Sequence, residues 1–204
     1  MSKFKQSKFI VSFFVLAFSA FMLSACVPAK TSKTTPEEAE TEVMEETSGD
    51  MEGYKKYENK EAGVSIQYPK NWELEEGFMG TLAMFRSPLA DANDKTQENV
   101  NIIVQDLSAQ PVTMEQFTKI SVEQIKQMII GAEILEDNGK TTMLGQSATR
   151  VVYTGKQGQY DLKWMQVWTI KDEKAYIFTY TGGTDSYDDY MDQVKAMLKS
   201  MKEI

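Results

Sequence analysis

Residues 165–180 read MQVWTIKDEKAYIFTY, and this stretch decides the fold. Two runs rich in β-branched and aromatic residues flank a polar Lys-Asp-Glu-Lys, the pattern of two strands joined by a short turn. Short turns join antiparallel neighbours. Apolar residues fall on both faces of each strand. Over residues 161–170, Leu162, Trp164, Trp168 and Ile170 alternate with Met165 and Val167. Over residues 175–181, Tyr176, Phe178 and Tyr180 alternate with Ala175 and Ile177. A sheet wet on one side shows a cleaner alternation of apolar and polar positions. The hairpin therefore predicts a central, mostly antiparallel sheet covered by helices or loops on both faces. That is an α+β sandwich.

The flanking sequence extends this reading. Residues 63–72, GVSIQYPKNW, alternate until Pro69 ends the strand. Residues 81–88, TLAMFRSP, form a second strand that stops at Pro88, and residues 99–107, NVNIIVQDL, a third and more apolar one. A helix follows Pro111. Thr113 and Gln116 fit a capping box, Met114, Phe117, Ile125, Met128 and Ile129 share one side, and Gly131 marks the end. In AEILEDNGKTTML, residues 132–144, Asn138-Gly139 predicts a hairpin turn. ATRVVYTG, residues 148–155, is a further strand. A last helix is expected from near Asp185. Tyr187, Tyr190, Met191, Val194, Met197, Leu198 and Met201 make its apolar stripe. Asp185, Asp188, Asp189 and Asp192 crowd its start and Lys195, Lys199 and Lys202 its end, which suits the helix dipole.

Composition excludes several kinds of function. The 204 residues carry 22 basic and 30 acidic side chains, a net charge of −8. The basic footprint of a nucleic-acid binder is missing, so no nucleic-acid partner is expected. With no histidine, His-based acid–base chemistry and Ser-His or Cys-His nucleophiles are ruled out. With one cysteine, so are an intrachain disulfide and a thiolate zinc site. Neither a Gly-rich phosphate loop nor a Gly-x-Ser-x-Gly elbow occurs. No cofactor is expected.

The single cysteine ends an apolar run. Lys3, Lys5 and Lys8 form a positive head, and residues 9–23 are almost entirely apolar. This is the layout of an export signal, shorter than the roughly 20 residues of a spanning helix. Leu23-Ser24-Ala25-Cys26 then resembles the lipobox of bacterial lipoproteins. The resemblance implies cleavage before Cys26 and a diacylglyceryl group, carrying chains such as palmitate, on its thiol. Two acyl chains bury roughly 30 methylenes at ~0.8 kcal/mol each, enough for stable anchoring. The expected location is the extracytoplasmic face of a cell membrane, with the bilayer as first partner. An uncleaved signal anchor or a secreted protein with an incidental cysteine are the alternatives. Residues 1–25 are thus assigned as signal, 26–53 as linker and 54–204 as folded domain. The linker sets eight acids against two lysines and lacks apolar periodicity, as expected of a disordered tether. An acidic docking tail is its alternative. A coil of that length spans roughly 30 Å.

The order GVSIQYPKNW, MQVWTIKDEKAYIFTY, SYDDY and MLKSMK resembles the PsbP-like domain, a family named for an extrinsic subunit of photosystem II and found in many bacterial lipoproteins. Gly63, Tyr68-Pro69, Trp72, Tyr176, Tyr187 and the helix ending at Lys202 carry the likeness. It implies an α/β/α sandwich and an accessory role on a membrane complex rather than catalysis. An envelope protein partner is therefore expected, with small-ligand or cation binding as the alternative. An envelope hydrolase using paired carboxylates ranks behind both.

Site candidates are few. Tyr160, Trp164 and Trp168 share a strand face, and with Tyr176 as neighbour they are candidates to line a ligand pocket. An aromatic core explains the same residues. The loop at residues 91–99 starts like a calcium loop, but Lys95, Thr96 and Ile102 break the EF-hand pattern. The aspartates at 185–192 offer hard oxygen ligands, but dipole compensation accounts for them, and no metal site is assigned. Arg86 and Arg150, the chain's two arginines, are expected in surface ion pairs.

Overall fold

A computed structural model describes residues 51–204, except 92, 93 and 95. Residues 1–50, which hold the expected export signal, most of the expected linker, and Leu23, Ser24, Ala25 and Cys26, lie outside the described residues.

The hairpin at residues 165–180 forms as expected. Strand β8 (Tyr160–Lys171) pairs antiparallel with β9 (Lys174–Gly183) around a two-residue turn in which Asp172 and Glu173 both take positive φ, 48° and 58°. Two successive left-handed residues give the type I′ geometry that matches strand twist. The remaining strands are β1 (Tyr54–Asn59), β2 (Val64–Pro69), β3 (Glu73–Glu76), β4 (Ala83–Arg86), β5 (Asn99–Asp106), β6 (Ile130–Met143), β7 (Gln146–Gln157) and β10 (Lys202–Glu203). Among the described residues two α-helices join them, α1 (Met114–Met128) and α2 (Met191–Ser200). The main sheet has seven strands in the order β3-β4-β5-β9-β8-β7-β6, and a small one has the order β1-β2-β10. Every pairing among the described residues is antiparallel.

Both faces of the main sheet are covered. On one, α1 lays Phe117 and Ile125 over Val151, Tyr153, Trp164, Trp168 and Ile177. Phe117 meets Trp168 edge-on at 5.8 Å, and the Trp168 indole N–H donates to Thr118 Oγ1 at 3.0 Å. Thr113 caps α1 as the sequence indicates. Its hydroxyl accepts from the Gln116 amide at 3.2 Å, and its own amide donates to Gln116 Oε1 at 2.9 Å. On the other face, α2 and the small sheet bury Ile66, Phe85, Ile102, Val167, Phe178, Tyr180, Val194 and Met197 together. Each side chain of this kind stabilises the fold by roughly 1.5–3 kcal/mol when fully buried. The second covering layer is thus a helix beside a three-stranded sheet. The sequence reading identified neither β1, β3 nor β10.

Three expectations fail here. The chain does not turn at Asn138-Gly139. Strand β6 continues through them to Met143, and the turn falls at Leu144-Gly145, with φ of 53° and 69°. The register slips between Glu136 and Gly139, a bulge that brings Gly139 opposite Arg150. Arg150 then reaches back to grip Glu136 with two hydrogen bonds, 2.7 and 3.0 Å. Glycine suits that bulge because a Cβ at 139 would strike the Glu136 carboxylate. The second failure is the start of α2, which begins at Met191 rather than near Asp185. Residues 184–190 form turns, pinned where the Tyr180 hydroxyl donates to the Tyr187 carbonyl at 2.7 Å. Within α1, Met128 departs from the expected apolar side and is 52% exposed.

Candidate functional site

A groove of about 520 Å³ opens where α2 lies beside β6, β7 and β8, within the usual size of small-ligand sites. Register decides which side chains reach it. Val152 pairs with Met165, and Lys163 stands two residues before Met165 on the same strand face. Along α2, Met191, Lys195 and Lys199 recur every four residues and form one flank. Val194, Met197 and Met201, beside them, enter the core. The β6–β7 turn closes one end with Met143 and Leu144.

The groove has an apolar floor and a cationic rim. Met143, Met165 and Met201 are buried in its floor, and Met191 packs against them. The Lys163 ammonium sits 4.2 Å from the centre of the Tyr187 ring, a cation–π contact that fixes its position. Burial drives the Tyr187 phenol well above the usual tyrosine range, so the ring stays neutral. Arg150 is taken up by Glu136. Its hydrogen bonds hold the Glu136 carboxyl below the usual glutamate range, and the pair raises the guanidinium in return. Among the described residues, Lys195 has one carboxylate within reach, Asp192, at 4.0 Å and in water. Among the described residues, neither Lys163 nor Lys199 has a carboxylate at ion-pair distance.

A second groove, about 610 Å³, runs between α1 and the outer part of β6. Glu115, Glu123 and Asp137 there alternate with Lys119, Lys126 and Lys140. The signs cancel, so this larger groove selects no charge and is the weaker candidate.

The aromatic residues proposed from sequence do not converge. Trp164 and Trp168 are fully buried beneath α1, whereas Tyr176 belongs to the opposite face. The two-residue turn pairs Trp168 with Ile177 and Thr169 with Tyr176, so even positions on β8 share a face with odd positions on β9. Tyr160 is only partly buried, at the edge of the α1 layer. A different set does line up. Asn99, Thr181, Trp164 and Tyr153 are successive cross-strand partners on β5, β9, β8 and β7. Each buries a polar side-chain atom with no hydrogen-bond partner, as does Gln166 in the next row. Tyr153 stacks on Trp164 at 5.1 Å, and burial pushes its phenol far above the usual range.

The acidic candidates have local roles. Asp94 accepts from the amides of Ala90 at 2.9 Å and Thr96 at 3.0 Å, holding its own loop. Asp185, Asp188 and Asp189 precede α2, and Asp192 lies in its first turn. Among the described residues, no group of three or more carboxylates, cysteines or histidines is placed to hold a metal ion. The buried Glu98 accepts from the hydroxyls of Ser186 and Ser87, the latter at 3.4 Å, and ties the turns before α2 to β5. Arg86 pairs with Glu75 at 2.6 Å, so both arginines sit in ion pairs as expected. Sequence reasoning missed the groove, because its lysines are spread over β8 and α2 without a linear signature.

Known proteins place this fold. The family model for PsbP matches residues 52–202. The solution structure of cyanobacterial PsbP (CyanoP) from Synechocystis is 18% identical, with a TM-score of 0.54, covering 76% of this chain and 95% of that one. LpqN of Mycobacterium tuberculosis, described as involved in cell envelope biogenesis, is 13% identical with a TM-score of 0.52, covering 68% of this chain and 82% of its own. At these identities the likeness speaks for the fold alone. Among curated proteins, none matches. Among the described residues, no helix is long and apolar enough to cross a membrane. The antiparallel sheet, its two covering layers and a match spanning residues 52–202 establish that the chain belongs to the PsbP family.

Proposed function

We propose that the chain is an extracytoplasmic lipoprotein, held to a bilayer by acylated Cys26, whose PsbP domain binds an envelope partner without catalysing a reaction. The groove beside α2 carries this reading, with Lys163 and Lys199, which have no carboxylate at ion-pair distance among the described residues, above a methionine floor. Such a surface recognises and holds, and it presents no nucleophile paired with a base. The accessory role associated with the PsbP family and the envelope role described for LpqN support the same reading.

The test is capture in mild detergent by the full-length protein, by residues 26–53 alone, and by a Lys163→Glu/Lys199→Glu variant. One membrane complex enriched by the full-length protein only, together with acyl mass on Cys26, is the expected result. Equal capture by all three, or a mature N-terminus without acyl groups, overturns the reading. The groove's apolar floor also favours a second reading, a lipoprotein that carries a small ligand.

A further inference from the structure

We propose that the groove between α2 and β6–β8 takes an anion with an apolar body, of the fatty-acid or phospholipid class. The proposal rests on the binding role given above and names what would be bound.

The charge distribution is the first argument. The chain carries 30 acidic against 22 basic side chains, yet the residues lining this groove set Lys163, Lys195 and Lys199 against one acid, Glu136, already held by Arg150, while Asp192 lies 4.0 Å from Lys195 outside the lining and in water. Net attraction for an anion therefore remains, and low-dielectric walls strengthen it. Lys163 stands over Tyr187 with its N–H donors unclaimed by any carboxylate among the described residues.

The floor is the second argument. A free inorganic anion needs only donors. Here the donors stand above Met143, Met165, Met191 and Met201, side chains that adapt to an alkyl chain of varying shape. An apolar floor below a charged rim matches a ligand with both parts. Orientation follows from α2. Its C-terminal carbonyls make the Lys199 end unfavourable for negative charge, whereas Lys163 lies by Tyr187, ahead of the α2 N-terminus, where the neighbouring Asp188 and Asp189 are exposed to water and do not line the groove. The anionic head is thus assigned to the Lys163 end and the alkyl chain to Met143 and Met201.

The test uses the full-length lipoprotein in phosphatidylcholine nanodiscs, with methionine methyl groups labelled for NMR. Decanoate, 1-decanol and inorganic phosphate are titrated separately. The expected result is saturable decanoate shifts at Met143, Met165, Met191 and Met201, with none at Met84 or Met114 across the sheet. Decanol should bind at least tenfold more weakly, and phosphate should shift nothing. Lys163→Gln and, independently, the exposed Lys195→Gln should weaken decanoate about tenfold and leave decanol unchanged. Equal responses to decanoate and decanol, shifts spread over all methionines, or indifference to both lysine variants would overturn the proposal. Nanodiscs containing phosphatidylglycerol distinguish the source. Groove shifts without added decanoate identify a bilayer headgroup, and shifts only with decanoate identify a free anion. A failed titration with intact acylation and partner capture sinks the ligand class alone. Absent acylation or capture sinks the function proposed above.

Discussion

On the face of the main sheet that meets α2, buried hydroxyls find partners. Tyr180 donates to the Tyr187 carbonyl at 2.7 Å, Thr169 to the Ser147 carbonyl at 2.9 Å, and Tyr57, on the small sheet that covers this face, to Glu76 at 3.2 Å. On the face beneath α1, Tyr153, Trp164, Thr181, Asn99 and Gln166 each bury a polar atom without one. The difference follows from what covers each face. The α2 side is covered by turns and a small sheet, which offer free carbonyls at many angles. The α1 side is covered by a helix whose carbonyls are already engaged along its axis. It offers mainly side chains, and only Thr118 meets an indole N–H, that of Trp168. An unpaired buried polar group costs about 1–3 kcal/mol, so the α1 face gains its stability from aromatic packing and the α2 face from packing and hydrogen bonds together.

The largest effect is expected where packing alone carries the load. Trp168→Ala removes a fully buried indole from beneath Phe117 and should cost about 3–5 kcal/mol in chemical denaturation. A cost near 1 kcal/mol would mean that α1 is not held by this contact. Next comes a pair of matched hydroxyl deletions. Tyr180→Phe strands the Tyr187 carbonyl and should cost about 1–2 kcal/mol. Tyr153→Phe removes a hydroxyl with no partner and should fall between no change and a gain of about 1 kcal/mol. Equal losses from the two would abolish the contrast between the faces.

The same contrast governs what the sequence discloses. Packing is periodic, so the both-face pattern at residues 165–180 and the Thr113–Gln116 cap were readable directly. Hydrogen-bond partners and register are not periodic. Asn138-Gly139 carries the local chemistry of a turn, but its place is decided by Arg150, which lies on the next strand and holds Glu136 across the bulge. Tyr176 matches Trp164 and Trp168 in numbering parity, but the two-residue turn sends it to the other face. The groove was hidden for a related reason. Lys195 and Lys199 read as dipole-compensating ends of a helix, and only the fold brings Lys163 from β8 beside them.

The smallest effect tests whether the α2 face stays satisfied out to its rim. Glu136 and Arg150 form a two-bond pair there with side chains 34% and 39% exposed. Arg150 holds the Glu136 carboxyl below its ordinary range, so the folded state binds this proton more weakly than the unfolded chain does. The stabilisation is therefore fully present above the ordinary glutamate range and is lost as pH falls through the lowered value. Solvent screens a pair this open, which limits the effect to a few tenths of a kcal/mol. Glu136→Gln should lower Tm slightly at neutral pH, and the gap from the unsubstituted protein should close in acid. A gap that persists unchanged in acid would show that the bulge at Gly139, rather than the charge on Glu136, is what this pairing holds in place.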